Sequence, residues 1–226
     1  MEDTRDGSER APLAAADRAY EFTRELIVSG RLSGGELISE GEIAERVGVS
    51  RTPVREAFLR LQAEELLRLF PKRGAVVVPL APGEGEDVLE IREAIECLAV
   101  RRLLRLDDDD LARVVERLRE TLRAQSGPAR RLDTPAFARA DQAFHLAIVA
   151  ASGNALAERF YGSLGDRQLR MAAQALHPRP ERLEVLVHEH GALVDAIARR
   201  DVARFEEALR AHLDATHRAL AAARRP

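Results

Sequence analysis

At 226 residues the chain is long enough for two modest domains, each with its own core. Hydrophobic residues make up 46% and charged residues 32%, a globular composition, and no apolar run approaches the roughly 20 residues needed to cross a membrane. The single cysteine, Cys97, excludes an internal disulfide and a thiolate metal cluster, while the net charge of -3 is blind to where charge lies and decides nothing about nucleic acid.

The first ten residues, MEDTRDGSER, lack the basic start and apolar core of a signal peptide, so a cytoplasmic protein is expected. From Leu13 to Val28 the apolar residues Leu13, Ala16, Ala19, Tyr20, Leu26 and Ile27 recur at helical spacing and predict an amphipathic helix stopped by Gly30. After a turn through Ser33-Gly34-Gly35, a second helix is expected from Ser39 to Gly48, with Glu42 completing a capping-box pattern. Ser50 is the expected N-cap of a third helix reaching about Glu65; Pro53 is tolerated in its first turn, where an N–H has no helical partner. The apolar runs 66–70 and 75–80, parted by Pro71-Lys72-Arg73-Gly74, predict a β-hairpin with a basic tip, which is a wing.

Residues 81–85 break all periodicity and read as a linker between an N-terminal domain, 1–80, and a C-terminal domain, 86–226. In the latter, helices are expected at about Glu86–Arg105, Asp109–Ala124, Pro135–Ala151, Asn154–Leu176, Glu181–Arg200 and Val202–Ala222, with a frayed tail from Ala219. The fold class is therefore mainly α: a winged helix-turn-helix followed by an all-α six-helix bundle.

Two helices joined by the tight Gly48-Val49-Ser50 turn form the pattern whose second helix lies in a DNA major groove. Between Arg46 and Arg73 the basic residues Arg46, Arg51, Arg55, Arg60, Arg68, Lys72 and Arg73 outnumber Glu56, Glu64 and Glu65. Ser50, Arg51, Thr52 and Arg55 stand at the helix end that would meet DNA. Arg can donate a bidentate pair to guanine, and hydroxyls and free N–H groups at a helix start suit phosphate oxygens. Lys72, Arg73 and Gly74 at the wing tip could reach an adjacent groove or backbone. The stretch Gly48-Val49-Ser50-Arg51-Thr52-Pro53-Val54-Arg55-Glu56-Ala57, with Leu61 and Pro71-Lys72-Arg73-Gly74, resembles the recognition segment of the GntR family of bacterial regulators. The resemblance implies base-edge or phosphate contacts from Arg51 and Arg55, backbone contacts from Ser50 and Thr52, and wing contacts from Arg73 and Gly74. Three positions depart from the family pattern: Gly34 replaces a frequent Pro, Glu65 a frequent Gly, and Gly41 an Arg of some relatives.

Asp141 and His145, four residues apart, project from one face of one helix, while His190 and His212 lie on two later helices. A bundle that brings the three helices together could aim one carboxylate and three imidazoles into one cavity, a donor set for a divalent transition metal: Zn first, with Ni, Mn, Co and Fe as alternatives. The second half also resembles the FCD ligand-binding domain of the FadR subfamily, through Arg92-Glu93-Ala94-Ile95-Glu96, Asp141-Gln142-Ala143-Phe144-His145, Ser152-Gly153-Asn154, Glu189-His190 and His212-Leu213. In metal-binding members of that subfamily an Asp, the His four residues on and two distant His form the site, and all four positions are filled here. His177, His188 and His217 are read as surface residues. Arg92 is a candidate anchor for an anionic effector, against the alternative of an intrahelical ion pair with Glu96; Arg170 is a second candidate. The resemblance implies a small organic acid completing the metal's coordination shell.

These readings converge on a transcription regulator, by family default a repressor, that binds a pseudo-palindromic double-stranded operator as a homodimer under the control of a small carboxylate. A metalloenzyme is the competing class, since three His and an Asp with an open position can activate water, but no His-Glu-x-x-His motif or partnered nucleophile is present. In a third reading the second domain serves dimerisation alone.

Overall fold

The computed structural model describes residues 14–223. Leu13, the end of the C-terminal tail and the N-terminal stretch on which the signal-peptide reading rests lie outside the described residues. The chain divides into two compact units, one comprising the residues up to Ile27 with Arg31–Pro79, the other Val28–Gly30 with Leu80 onward.

The first unit is built from α1 (Ala15–Val28), β1 (Leu37–Ile38), α2 (Glu40–Val47), α3 (Arg51–Ala63), β2 (Leu67–Phe70) and β3 (Gly74–Val77). Ser39 caps α2 through the capping box read from the sequence: its hydroxyl accepts from Glu42 N–H at 3.1 Å and its own N–H donates to the Glu42 carboxylate at 2.8 Å. Gly48 ends α2 in the left-handed conformation, which lets the chain turn directly into α3. Val54, Ala57, Phe58 and Leu61 on α3 are fully buried against Ala19, Leu26 and Ile27 of α1 and Ile43 of α2, so the opposite face of α3 is left outward. Arg60, though exposed, is engaged within the unit, since it pairs with Asp17 at 2.6 Å and stacks over the Tyr20 ring at 4.0 Å.

The wing is a three-stranded antiparallel sheet in the order β1-β3-β2 rather than a bare hairpin. The added strand is two residues long, with Leu37 opposite Val76 and Ile38 opposite Ala75, too short to carry a period-two pattern. Gly74 sits at φ 101, where an added Cβ would collide with the Ile38 carbonyl oxygen, so its lack of a side chain serves the β1-β3 pairing. Glu65 has φ 60, which supplies the physical reason for the family's frequent Gly at that position.

The second unit holds α4 (Glu84–Leu103), α5 (Asp108–Arg130), α6 (Thr134–Ala151), α7 (Ala155–Ser163), α8 (Gly165–Leu176), a 3-10 turn (Pro180–Arg182), α9 (Leu183–Ala198) and α10 (Val202–Ala223). The all-α bundle is as read, with α5 packed on α6 and α9, and α10 on α4, α8 and α9. Its core runs through Leu103, Leu118, Phe137, Phe144, Ile148, Leu193, Ile197, Phe205 and Leu209. Cys97 is buried within it, and burial pushes its thiol up to about 11, so it stays protonated.

The bundle departs from expectation at four places. Helix α4 starts at Glu84, inside the stretch read as linker. Helix α5 runs through Pro128 to Arg130, because burial of Gln125 and Ala129 outweighs the hydrogen bond that proline removes. The single helix expected over 154–176 is two helices, parted at Leu164-Gly165, where the Gln142 side chain occupies the space a Cβ on Gly165 would need. Helix α10 continues through the expected frayed region to Ala223, held by buried Ala219 and Leu220.

Two substitutions test the first unit. Gly74→Ala is expected to lower its stability by about 2 kcal/mol or more, since the clash is with backbone that cannot move aside. Glu65→Gly is expected to raise the melting temperature by a few degrees, as relief of the positive φ exceeds the added unfolded-state entropy of about 0.4–1 kcal/mol. Thermal unfolding followed by circular dichroism reads both.

Candidate DNA-binding face and metal centre

The N-terminus of α3 and the wing enclose an open groove lined by Ser39, Gly41, Arg51, Arg55, Lys72, Arg73 and Gly74, among others. Ser50, Arg51, Thr52 and Arg55 are all exposed, as are Lys72 and Arg73. Ser50 holds the N-cap position with extended backbone but makes no side-chain capping hydrogen bond, so its hydroxyl and the first N–H groups of α3 face outward together. The Arg51 guanidinium lies over Gly41, its Nη2 3.4 Å from where a Cβ would stand, so the glycine that replaces an Arg of some relatives gives Arg51 its seat. At the wing tip, Pro71 and Lys72 form a turn closed by Arg73 N–H donating to the Phe70 carbonyl at 3.1 Å, with Lys72 at φ 62. This brings cationic groups from α3 and the wing to one side of the first unit. Gly74 shares that side, but its glycine character is explained by Ile38.

In the second unit Asp141 and His145 of α6, His190 of α9 and His212 of α10 converge, and their ligand atoms all lie within 4.8 Å of one another. His190 Nε2 is 3.3 Å from His145 Nε2 and 3.3 Å from Asp141 Oδ1. The ring nitrogens facing away are all engaged: His145 Nδ1–H donates to Glu96 Oε2 at 2.7 Å, His190 Nδ1–H to Gln125 Oε1 at 2.6 Å and His212 Nδ1–H to Glu189 Oε2 at 2.7 Å. A neutral imidazole that donates from Nδ1 carries its lone pair on Nε2, so three lone pairs and a carboxylate point at one small space. Without a cation between them these groups repel, and the arrangement suits a transition metal held by nitrogen and oxygen. Phe144 stacks on His190, with ring centroids 4.8 Å apart, and meets His145 edge-on at 5.1 Å, which fixes both rings.

Burial holds both His145 and His190 below the usual histidine pKa; the charges of Glu96 and Asp141 oppose this at His145, and the neighbouring rings reinforce it at His190. Glu96, on α4, is fully buried and accepts three donors: His145 Nδ1 on Oε2, with Tyr161 Oη at 2.6 Å and Arg92 Nε at 3.2 Å on Oε1. Burial alone would raise its carboxyl, but His145, Arg92 and the hydrogen bonds from His145 and Tyr161 outweigh burial and hold it at about 2.

A cavity opens beside this cluster, lined by Asp141, His212, Arg92, Gln168 and Arg182 with an apolar wall that includes Met171 and Leu186. Its volume of about 40 Å³ compares with the roughly 10–15 Å³ one water needs, so it admits a compact ligand. Arg92 Nη2 and Gln168 Nε2 are buried without a protein partner. Arg92 makes the intrahelical ion pair with Glu96 through Nε, while its Nη2 has no partner and the residue lines the cavity. Arg170 is buried on α8 and does not line it; the second cation there is Arg182. His177, His188 and His217 are exposed, as expected.

Of the supporting residues, Glu96 and Glu189 fall within the motifs that carry the FCD resemblance, whereas Gln125, Tyr161 and Gln168 fall outside them. Gln125 lay past the predicted end of α5, and Tyr161 and Gln168 lay on a helix whose break went unread. The glycines at 162 and 165 were the available sign of that break.

A model of bacterial regulatory proteins of the gntR family matches residues 15–77, and one of the FCD domain matches residues 87–215, a span that contains the whole Asp-His cluster. An HTH-type transcriptional regulator of Agrobacterium vitis is 39% identical over 132 residues, 58% of this chain and 77% of that protein. A Paenarthrobacter nicotinovorans protein named as a D-xylose utilization operon transcriptional repressor is 33% identical over 200 residues, 88% of this chain and 86% of its own length. The solved structure of E. coli McbR/YncC covers 93% of this chain and 99% of that one at a TM-score of 0.72 and 22% identity, a likeness of fold. The family and these relatives are regulators, not enzymes. The chain belongs to the GntR family, as a DNA-binding transcription regulator whose second unit is an FCD domain.

Proposed function

We propose that this regulator is a metal-containing repressor whose operator affinity is set by a small carboxylate. The observation that carries the reading is the set of three Nε2 lone pairs and Asp141 beside a cavity where Arg92 Nη2 and Gln168 Nε2 lack partners. Asp141, His145, His190 and His212 hold the metal, with Zn²⁺ as the first choice and Ni²⁺, Mn²⁺, Co²⁺ or Fe²⁺ as alternatives. When bound, the metal supplies an open coordination position for a carboxylate oxygen. Arg92 and Gln168 donate to the same carboxylate, and Met171 and Leu186 pack the carbon body. A carboxylate brings charge as well as lone pairs to the Arg92 guanidinium and the metal, which the hydroxyls of a neutral sugar do not, and this favours an acid.

Arg51 and Arg55 read base edges or adjacent phosphates, Ser50 and Thr52 hold the backbone, and Lys72 and Arg73 anchor the wing on double-stranded DNA. Two copies, paired through their helical domains, place two recognition helices on a pseudo-palindromic operator in the cytoplasm. Effector binding changes their relative placement, a coupling typically of about 1–3 kcal/mol. No helix among the described residues is long and apolar enough to cross a membrane.

In a gel shift against the chain's own upstream DNA, Arg51→Ala/Arg55→Ala is expected to abolish sequence-selective binding and to flatten the salt dependence by about two phosphate-equivalents at most. Retained selectivity in the double variant would place the recognition helix elsewhere.

Metal analysis of the same preparation is expected to find about one transition metal per chain. Glu96→Gln should weaken metal binding by about 10- to 100-fold, because the amide accepts more weakly from His145. Unchanged affinity would sink the supporting role of Glu96.

The effector arm is a screen of small acids read as operator release. If no acid moves operator affinity while chelation melts the second unit, the metal is structural, a role the burial of its three imidazoles also suits.

The pH dependence has a definite sign. His145 and His190 have folded pKa values below the unfolded value of about 6.5, so the unfolded chain binds more protons as pH falls. Stability contributed by the neutral rings is present above about pH 6.5 and is lost progressively below it, together with the metal. Melting temperature and metal content measured from pH 7.5 to 5 should fall together.

A further inference from the structure

The cavity beside the Asp-His cluster is graded in polarity along its length. On α8 the lining residues Gln168, Met171, Ala172, Ala175 and Leu176 fall at three- and four-residue steps, so one face of that helix forms a wall about 12 Å long. Only its first member is polar. On α10 the lining runs from His212 of the cluster through Thr216 to Ala219, about 10 Å further on. On α9 Leu186 lines the cavity one turn before the cluster residue His190. The turn after α8 is tied to the same stretch of α10, since Arg182 Nη1 donates to the Ala215 carbonyl at 3.5 Å. Leu176 and Ala219 therefore close the end opposite Gln168 and His212, with Met171 and Leu186 between, and all four apolar residues belong to the buried core.

Unused hydrogen-bonding capacity lies at the polar end, where Arg92 Nη2 and Gln168 Nε2 are buried without a partner. The polar side chains beyond it are already engaged. Thr216 Oγ1 donates to the His212 carbonyl at 3.2 Å, and the Arg182 guanidinium is held between the Ala215 carbonyl and the Glu189 carboxylate, 3.9 Å away, which offsets its charge. A ligand hydroxyl carried to the apolar end would give up water and meet no partner there, and a second carboxylate would give up more.

We infer that the effector is a short-chain monocarboxylate whose carbon body is apolar at the end remote from the acid, neither hydroxylated nor carboxylated there. This rests on the carboxylate reading above and names the class within it. Arg92 and Gln168 take the acid, while Met171, Leu176, Leu186 and Ala219 take the remote end. The cavity volume of about 40 Å³ holds about three water-sized spheres, which keeps the chain short.

The test is isothermal titration calorimetry of the full, metal-loaded chain with acetate, butyrate, γ-hydroxybutyrate and succinate. The last three share one chain length and differ only at the remote end. Affinity is expected to rise about fourfold per methylene from acetate to butyrate, as methylenes leave water for an apolar wall. Butyrate is expected to bind at least about tenfold tighter than either γ-hydroxybutyrate or succinate. Leu176→Gln sets an amide at the closed end, and should narrow the gap between butyrate and γ-hydroxybutyrate at unchanged metal content, with thermal melting as the check on folding. Succinate or γ-hydroxybutyrate binding as tightly as butyrate would overturn the inference and leave the carboxylate reading standing. So would acetate and butyrate of equal affinity. An unchanged gap in folded, metal-containing Leu176→Gln would overturn the placement of the remote end at Leu176. Absence of binding by all four acids at millimolar concentration would remove the carboxylate reading itself, and this inference with it.

Discussion

The buried carboxylate of Glu96 is the constraint around which the second unit is organised. An ionised carboxylate with no exposed surface is tolerated only when its oxygens are filled, and here three helices fill them: α4 itself through Arg92, α6 through His145 and α7 through Tyr161. The same bonds set the His145 tautomer, so that structural satisfaction of one group prepares the lone pair of another. Gln125 and Glu189 do the equivalent for His190 and His212. The cluster is thus preorganised from outside, by acceptors on helices other than those that carry the ligands or one residue away from them.

That organisation also explains the break between α7 and α8. A continuous helix from Asn154 to Leu176 would be straight over its whole length, whereas the break lets Tyr161 reach Glu96 from one segment and Gln168 line the cavity from the next. Gly165, against which Gln142 packs, permits the join. The departure from regular structure therefore lies where the site requires two directions from neighbouring residues.

In the first unit the corresponding constraint is backbone geometry. The short β1 strand is held by β3 only because Gly74 lacks a side chain, and the turn at the wing tip holds Lys72 at positive φ. These features present Arg73 and Lys72 on the same side as Arg51 and Arg55, while Arg60, on the same helix, is withdrawn by Asp17 and Tyr20. Basic composition alone did not separate Arg60 from Arg55; the partners across the fold do.

The sequence by itself determined the class of each unit, the helix-turn-helix, the capping box at Ser39 and the Asp141–His145 pair on one helix face. Each of these is local: a cap lies within four residues, an amphipathic face repeats every turn, and metal-ligand side chains are chemically scarce. Tertiary structure alone decided the third strand of the wing, the meeting of His190 and His212 with Asp141 and His145, the partners of the three imidazoles, the split of α7 from α8, and the place of Arg92 between Glu96 and the cavity. It also removed Arg170 from the cavity and put Gln168 and Arg182 there. These depend on contacts between residues 23 to 69 positions apart in the chain, as between Glu189 and His212 or Arg92 and Tyr161, and no local pattern encodes which distant group a side chain will meet.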